Sequence, residues 1–160
     1  MSMNDCIGYL ITIRTYGSWL HGDARGSARR LRSGISTLIG DQEPKLERHM
    51  LDELKEEPFV LNLEQRRGLE SRSAGICAFK EWTLHAINAR SNHVHFVVSA
   101  MVPPEDVMSC LKRYLTRHLR ENGMVSATKR IWSRHGSTVY LWNQSELVAA
   151  CRHVVDGQGG

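Results

Sequence analysis

The stretch that decides the fold is WTLHAINARSNHVHFVVSA, residues 82–100. Two runs rich in apolar and β-branched residues flank a short polar turn at 89–92, a pattern that predicts a β-hairpin. Successive side chains of a strand alternate between its faces, so His93, His95 and Val97 share one face. Val94, Phe96 and Val98 share the other. The hairpin therefore predicts one core face and one face that presents two imidazoles side by side.

The His93-Val94-His95 triplet is a candidate metal site. Two imidazoles at positions i and i+2 of a strand can reach one divalent cation, and imidazole is a common ligand of Mn, Zn, Ni and Fe. The alternative is a half-exposed polar face, because a chain with eight histidines can contain such a pair by chance. The triplet alone leaves both interpretations open.

The bulk composition is that of one globular domain. With 160 residues, 41% hydrophobic and 24% charged, we expect a single domain over residues 1–160 that is long enough to bury a core. No apolar run approaches the ~20 residues that span a bilayer, and the first residues lack the basic-then-apolar pattern of a signal peptide. We therefore predict a cytoplasmic protein without a membrane partner.

The cysteines and the net charge exclude few classes of function. Cys6, Cys77, Cys110 and Cys151 have no CxxC spacing, which argues against a zinc ribbon or a disulfide framework and predicts reduced core residues. The net charge of +4 and the pI near 9.0 are compatible with a polyanionic partner but do not require one.

The periodicity of the remaining chain predicts alternating strands and helices. The predicted elements outside the hairpin are a strand at 7–16, helices at 45–57, 62–79 (with Asn62 as N-cap), 105–122 and 143–156, and a strand at 138–142. The predicted fold is α+β, a ferredoxin-like split βαβ with a four-stranded antiparallel sheet and helices on one face.

Basic residues concentrate in three segments. Residues 24–40 form an Arg-containing loop, the helix at 105–122 has a basic flank, and the loop at 129–137 holds a tryptophan among cations. Cations that follow a phosphate backbone and an aromatic ring that stacks on a base are typical of single-strand binding surfaces. The candidate DNA contacts are Arg113, Arg117, Lys129, Arg130 and Arg134, with Trp132 as the stacking residue. The alternative is that these segments are simply solvated.

Four segments together resemble one family. They are Asn92 followed by the His93-Val94-His95 triplet, KRYLTRHL at 112–119, IWSRHGS at 131–137 before Tyr140-Leu141-Trp142, and HVVDGQG at 153–159. In this order they are similar to the single-tyrosine HUH transposases, insertion-sequence enzymes and their REP-associated relatives that act on single-stranded DNA. The resemblance covers most of the chain except about residues 24–60.

The resemblance implies a metal-dependent DNA transposase that acts as a homodimer on single-stranded or hairpin DNA. In that family a tyrosine attacks the scissile phosphate and forms a covalent protein–DNA intermediate during cleavage and strand transfer. A divalent ion, Mg²⁺ or Mn²⁺, is held by the two histidines of the motif and a glutamine. By position, the metal ligands here would be His93, His95 and Gln158.

The chain departs from the family at the nucleophile, where the tyrosine position on the terminal helix holds His153. Three interpretations follow. The protein is a degenerate transposase that still binds DNA and metal, or Tyr114 is the nucleophile although it lies on the apolar stripe of its own helix, or His153 itself attacks phosphate or ligates the metal.

Three classes of function therefore remain. The first is the transposase or a domesticated relative, which the retained His93, His95 and Gln158 favour. The second is a non-catalytic protein that binds hairpin or single-stranded DNA, which the missing tyrosine favours. The third is an unrelated metal-dependent small enzyme, because one fold can host many functions.

Overall fold

The computed structural model describes residues 5–18 and 57–156. Within them the elements are β1 (Gly8–Thr15), α1 (Leu63–Phe79), β2 (Thr83–Ala89), β3 (His93–Ser99), α2 (Pro104–Glu121), β4 (Trp132–Leu141) and α3 (Gln144–Asp156). The predicted helix at 45–57, apart from its last residue, the basic loop at 24–40 and Gln158 lie outside the described residues. The assignment of the whole chain to a single domain stays a prediction.

The four strands form one antiparallel sheet in the order β2-β3-β1-β4. β1 lies in the centre, paired on one side with β3 and on the other with β4, while β2 and β3 form the predicted hairpin. This strand order, with the element order from β1 to β4, is that of a ferredoxin-like split βαβ fold. The predicted fold class is confirmed.

The main core lies between the sheet and the pair α1 and α2. The predicted core face of β3 is confirmed, because Val94, Phe96 and Val98 are fully buried there. β1 adds Ile11 and Ile13 to the same core, and α2 contributes a stripe of buried residues, Val107, Leu111, Leu115 and Leu119. This stripe follows the 3.6-residue period from which the helix was predicted.

The third helix departs from the prediction that the helices share one face. Two of the three do so, but α3 packs on the opposite face of the sheet, where Leu147, Ala150 and Val154 bury against Ala86 and Val97. The physical reason lies in the sheet itself. The sheet face that carries the two histidines also carries an apolar patch, at Ala86 and Val97. The amphipathic α3 covers this patch.

The start of α1 forms the predicted N-cap. The Asn62 side chain accepts a hydrogen bond from the backbone N–H of Gln65 at 2.8 Å, and the Gln65 side chain accepts one from the backbone N–H of Asn62 at 2.8 Å. This reciprocal pair is a capping box, which satisfies two backbone donors at a helix start. Gln65 also donates from Nε2 to the carbonyl of Met124, at 2.8 Å, and so fixes the segment that follows α2.

The last strand is longer than predicted. β4 begins at Trp132 rather than at residue 138, so much of the predicted basic loop at 129–137 is strand. Pairing with β1 decides this, since Gly136 lies opposite Ile13 and Trp132 lies opposite Thr15 across an irregularity in register. The strand carries no apolar run over residues 133–137, which is why the sequence pattern did not reveal it.

The described residues contain no helix that is long and apolar enough to cross a membrane. The cytoplasmic location stays a prediction. Cys77 and Cys110 are buried in the main core, as predicted, whereas Cys6 and Cys151 are half-buried. Burial, with Cys110 nearby as a smaller cause, raises the pKa of the Cys77 thiol to about 11, so this thiol is protonated at neutral pH.

Candidate metal and nucleic-acid site

A row of polar residues crosses the sheet on the face that α3 partly covers. The strand register places Asn88, His95, Thr12 and Ser137 directly opposite one another on four neighbouring strands. Directly opposed residues project from the same face of an antiparallel sheet. Arg14 lies opposite His93 on this face. The predicted histidine face is therefore a polar patch that four strands build.

The two histidines of the motif are held through their Nδ1 atoms. His95 is only 5% exposed, and its Nδ1 forms a 2.8 Å hydrogen bond with the hydroxyl of Thr12. His93 donates from Nδ1 to the side-chain oxygen of Asn92 at 2.7 Å. The two rings lie 4.6 Å apart, centroid to centroid, and are inclined by 68°.

This anchoring suits metal binding. A metal-ligating histidine usually makes a hydrogen bond through its other ring nitrogen, which fixes the tautomer and the ring orientation. Because Nδ1 of His93 is the donor to Asn92, its neutral imidazole carries the lone pair on Nε2. The chemistry of the donor pair thus fits two nitrogen ligands of one divalent cation.

The third histidine of the region comes from α3. His153 is half-buried, and the centroid of its ring lies 5.6 Å from that of His95. Two contacts fix this part of α3 on the sheet. Val154 is fully buried, and Asn88 donates from Nδ2 to the carbonyl of Val154 at 2.8 Å. The residue predicted to stand at the family's tyrosine position thus lies beside the histidine pair.

The complete metal set stays a prediction. Over residues 5–18 and 57–156, no three His, Cys, Asp or Glu side chains form a group that could hold a metal ion. The predicted set needs only two such residues, His93 and His95, because its third ligand is the amide of Gln158. That glutamine lies beyond the described residues.

Tyr114 is not brought together with the histidines. It lies on α2, on the opposite side of the sheet, where its ring packs against the main core. Arg113 and Arg117 place their guanidinium carbons 5.5 Å from the ring centroid, and Lys80 Nζ lies 5.9 Å from it. These contacts agree with the alternative in which Tyr114 belongs to the packing of its helix.

A basic groove runs between α2 and β4. It has a volume of about 680 Å³, and Lys112, Arg113, Arg117, Arg120 and Arg134 line it. Lys112 donates from Nζ to the carbonyl of Ser133 at 3.2 Å, which ties α2 to the strand, and burial lowers the pKa of its ammonium group. The groove gathers five cations, beside the acidic Glu121, into one surface of net positive charge, the electrostatic pattern of a phosphate-backbone site.

A second cleft of about 780 Å³ adjoins the groove. Arg130, Trp132 and Arg134 line it together with Tyr16 and His135, and Arg134 lines both cavities. The indole of Trp132 donates from Nε1 to the hydroxyl of Thr116 at 2.9 Å, so its ring is held in one orientation. The structure therefore brings five of the six predicted DNA contacts to two adjoining cavities.

Lys129 is the predicted DNA contact that lines neither cavity. Its Nζ lies 5.6 Å from the centroid of the Phe59 ring and 3.5 Å from the carbonyl oxygen of Glu57. It packs over the segment that precedes α1. A phosphate-binding role for Lys129 stays a prediction.

Sequence reasoning missed four residues of the polar row and its flank, namely Thr12, Arg14, Asn88 and Ser137. A signal for two of them was present, because Thr12 and Arg14 are polar residues at alternate positions of the apolar β1. Whether Thr12 and Arg14 lie on the same face as the histidines depends on the register of β1 against β3. The sequence of one strand does not determine that register.

A comparison with protein-family models matches residues 43–154 to a family described as "Transposase IS200 like". The matched range covers more than half of the chain, begins before residue 60 and contains His93, His95 and His153, whereas Gln158 lies beyond its end. A search of the curated proteins found no match. The family expected from the sequence motifs is confirmed.

Proposed function

Because this chain belongs to the IS200-like transposase family, we propose that it acts on single-stranded or hairpin DNA as a metal-dependent transposase. The reaction class is DNA cleavage and strand transfer through a covalent protein–DNA intermediate. One observation supports this above the others. His93 and His95 are anchored through Nδ1 beside an α3 residue, His153, that stands at the nucleophile position.

In this proposal His93, His95 and Gln158 hold Mg²⁺ or Mn²⁺. When bound, the cation polarises a phosphoryl oxygen of the scissile group. Asn92 and Thr12 orient the two imidazoles, since each is hydrogen-bonded to one Nδ1 atom. Arg14 lies opposite His93 on the same face and attracts the phosphate to it.

In this proposal the DNA backbone lies in the basic groove on the α2 side of the sheet. Arg113, Arg117 and Arg134 contact the phosphate backbone, with Arg130 beside them, and Trp132 stacks on an unpaired base. The partner is DNA, and the active form is an isologous homodimer, as is expected of most symmetric assemblies.

The covalent step needs a phenol that α3 does not carry. An imidazole at residue 153 cannot form the phosphotyrosine bond of the family's reaction. This substitution favours the second candidate function, in which the wild-type chain is a non-catalytic, transposase-derived protein that binds hairpin or single-stranded DNA. Both functions use the same fold and the same DNA surface, and they differ only in the covalent step.

A denaturing gel distinguishes these functions. The protein is incubated with end-labelled hairpin DNA and Mn²⁺ as wild type, His153→Tyr, His153→Ala and Tyr114→Phe. A transposase should give a covalent protein–DNA band as wild type, whereas the non-catalytic protein should give a band only with His153→Tyr, because the restored phenol lies beside the histidine pair. His95→Ala in the His153→Tyr background should remove the band, which controls for non-specific cross-linking.

The alanine and phenylalanine variants identify the nucleophile if the wild type forms a band. A wild-type band that disappears in Tyr114→Phe would place the nucleophile on α2. A wild-type band that survives Tyr114→Phe and disappears in His153→Ala would assign the attack to His153. Failure of every variant to form a band on this gel, together with failure to bind the same DNA in an anisotropy titration, would reject both candidate functions.

The proposed groove predicts the salt dependence of DNA binding. Each phosphate contact to a single strand contributes about 0.7 to the slope of log K against log salt concentration. Arg134→Gln should therefore weaken binding to a single-stranded oligonucleotide and reduce the magnitude of this slope by about 0.7. Fluorescence anisotropy at several salt concentrations measures both. Arg67→Gln, an equal change of charge on an exposed residue of α1 that lines neither cavity, is the control. An unchanged slope in Arg134→Gln would show that the groove is only solvated.

A further inference from the structure

A small cleft opens between α1 and α2 on the side of the sheet away from the histidines. Its volume is about 260 Å³, and its walls are Arg72, Gly75, Ile76, Phe79 and Tyr114. Phe79 is 77% exposed, which is unusual for a phenylalanine. The main core leaves this ring uncovered, at the end of α1.

Cations surround the two aromatic rings. Lys80 Nζ lies 5.9 Å from the centroid of Phe79 and 5.9 Å from that of Tyr114. Arg113 and Arg117 each lie 5.5 Å from the Tyr114 centroid, and Arg72 forms part of the wall. An apolar cleft ringed by positive charge complements a ligand with a planar apolar face and an attached anion. An unpaired nucleotide of a polynucleotide strand has both properties.

We propose that this cleft receives an unpaired base of single-stranded DNA, which stacks on Phe79 while the neighbouring cations contact its phosphates. This inference rests on the proposed function, because it takes DNA as the partner. Cavities that hold drug-sized ligands start near ~300 Å³, so the smaller cleft suits one base. A duplex buries the faces of its bases, so the cleft distinguishes single strands from duplexes.

Two arginines lie between the cleft and the basic groove. Arg113 and Arg117 line the groove and also contact the Tyr114 ring of the cleft. A strand that follows the groove along α2 can therefore cross this helix with its phosphates on the same two arginines. The inference extends the DNA path beyond Trp132 to a second stacking position, Phe79.

Fluorescence anisotropy with two labelled probes tests the inference without metal. One probe is a twelve-nucleotide thymidine strand, and the other has the same phosphates with abasic sugars. Stacking of a base on an aromatic side chain contributes to the free energy of binding. Its usual size predicts that Phe79→Ala should weaken binding of the thymidine strand about tenfold. Binding of the abasic strand should not change. Because Phe79 is exposed, its truncation leaves the core intact, and Met101→Ala, a residue 94% exposed elsewhere on the surface, is the matched control.

Three outcomes would overturn the inference, and they have different meanings. Equal binding of the thymidine strand by wild type and Phe79→Ala would reject the cleft alone and leave the proposed function standing. Failure of wild type to bind either probe would reject the proposed DNA function as well. A change in sedimentation from dimer to monomer in Phe79→Ala would assign the cleft to a second copy of this chain.

Discussion

Replacing His95 by alanine is expected to lower the affinity for Mn²⁺ about a hundredfold or more. The variant removes one of two anchored imidazoles, and a single remaining histidine loses the chelate. The loss should exceed the ~10–100-fold effect that is usual for removing a group that only orients a ligand. Isothermal titration calorimetry of the metal-free protein with Mn²⁺ measures this affinity directly, without any DNA substrate.

Two further variants sharpen this measurement. Thr12→Val removes the hydroxyl that contacts Nδ1 of His95 and should reduce the affinity by about tenfold, since it changes only the orientation of the ligand. His85→Ala removes an exposed histidine that pairs with Ser99 outside the polar row and should have no effect. An affinity of His95→Ala equal to that of wild type would refute the metal site.

Gly136→Ala is expected to destabilise the protein by about 3 kcal/mol or more, at the upper end of the usual cost of overpacking. A Cβ at this position would meet the backbone carbonyl oxygen of Thr12 closer than real Cβ atoms approach any atom. That carbonyl belongs to the central strand, so the pairing of β4 with β1 must shift. Urea denaturation followed by circular dichroism gives the change in the free energy of unfolding.

The same substitution elsewhere in the chain is the matched control. Gly75 lies inside α1, one turn before its C-terminal end, and no atom lies within 4 Å of the Cβ that alanine would add there. Gly75→Ala should therefore stabilise the protein by roughly 0.5–1 kcal/mol, because glycine loses more conformational freedom in a helix than alanine does. Destabilisation of both variants to the same degree would contradict the steric argument for Gly136.

The hairpin and its two faces could be predicted from the sequence because strand alternation is a local property. Val94 and Phe96 point to the main core and His95 to the opposite face, as the spacing indicates. The capping box at Asn62 was similarly visible in a few consecutive residues. These features depend on neighbours in the sequence and so need no knowledge of the tertiary fold.

The features that could not be predicted depend on pairing between distant segments. The start of β4 at Trp132 is decided by β1, more than a hundred residues earlier in the chain. The position of α3 follows from an apolar patch, at Ala86 and Val97, that exists only once β2 and β3 pair. The contact of Thr12 with His95 has the same origin, so the anchoring of the proposed metal ligand was invisible in the sequence.

The placement of α3 on its own side of the sheet has an evolutionary consequence. Recognition of DNA, as we propose it, uses α2 and β4, whereas the reactive side chain would come from α3, which packs through a separate small core. Under this proposal, mutation at residue 153 would change the chemistry without disturbing the surface that selects the substrate. A lineage would then lose strand transfer by one substitution, keep a functional DNA-binding protein, and recover the lost activity by a single reversion.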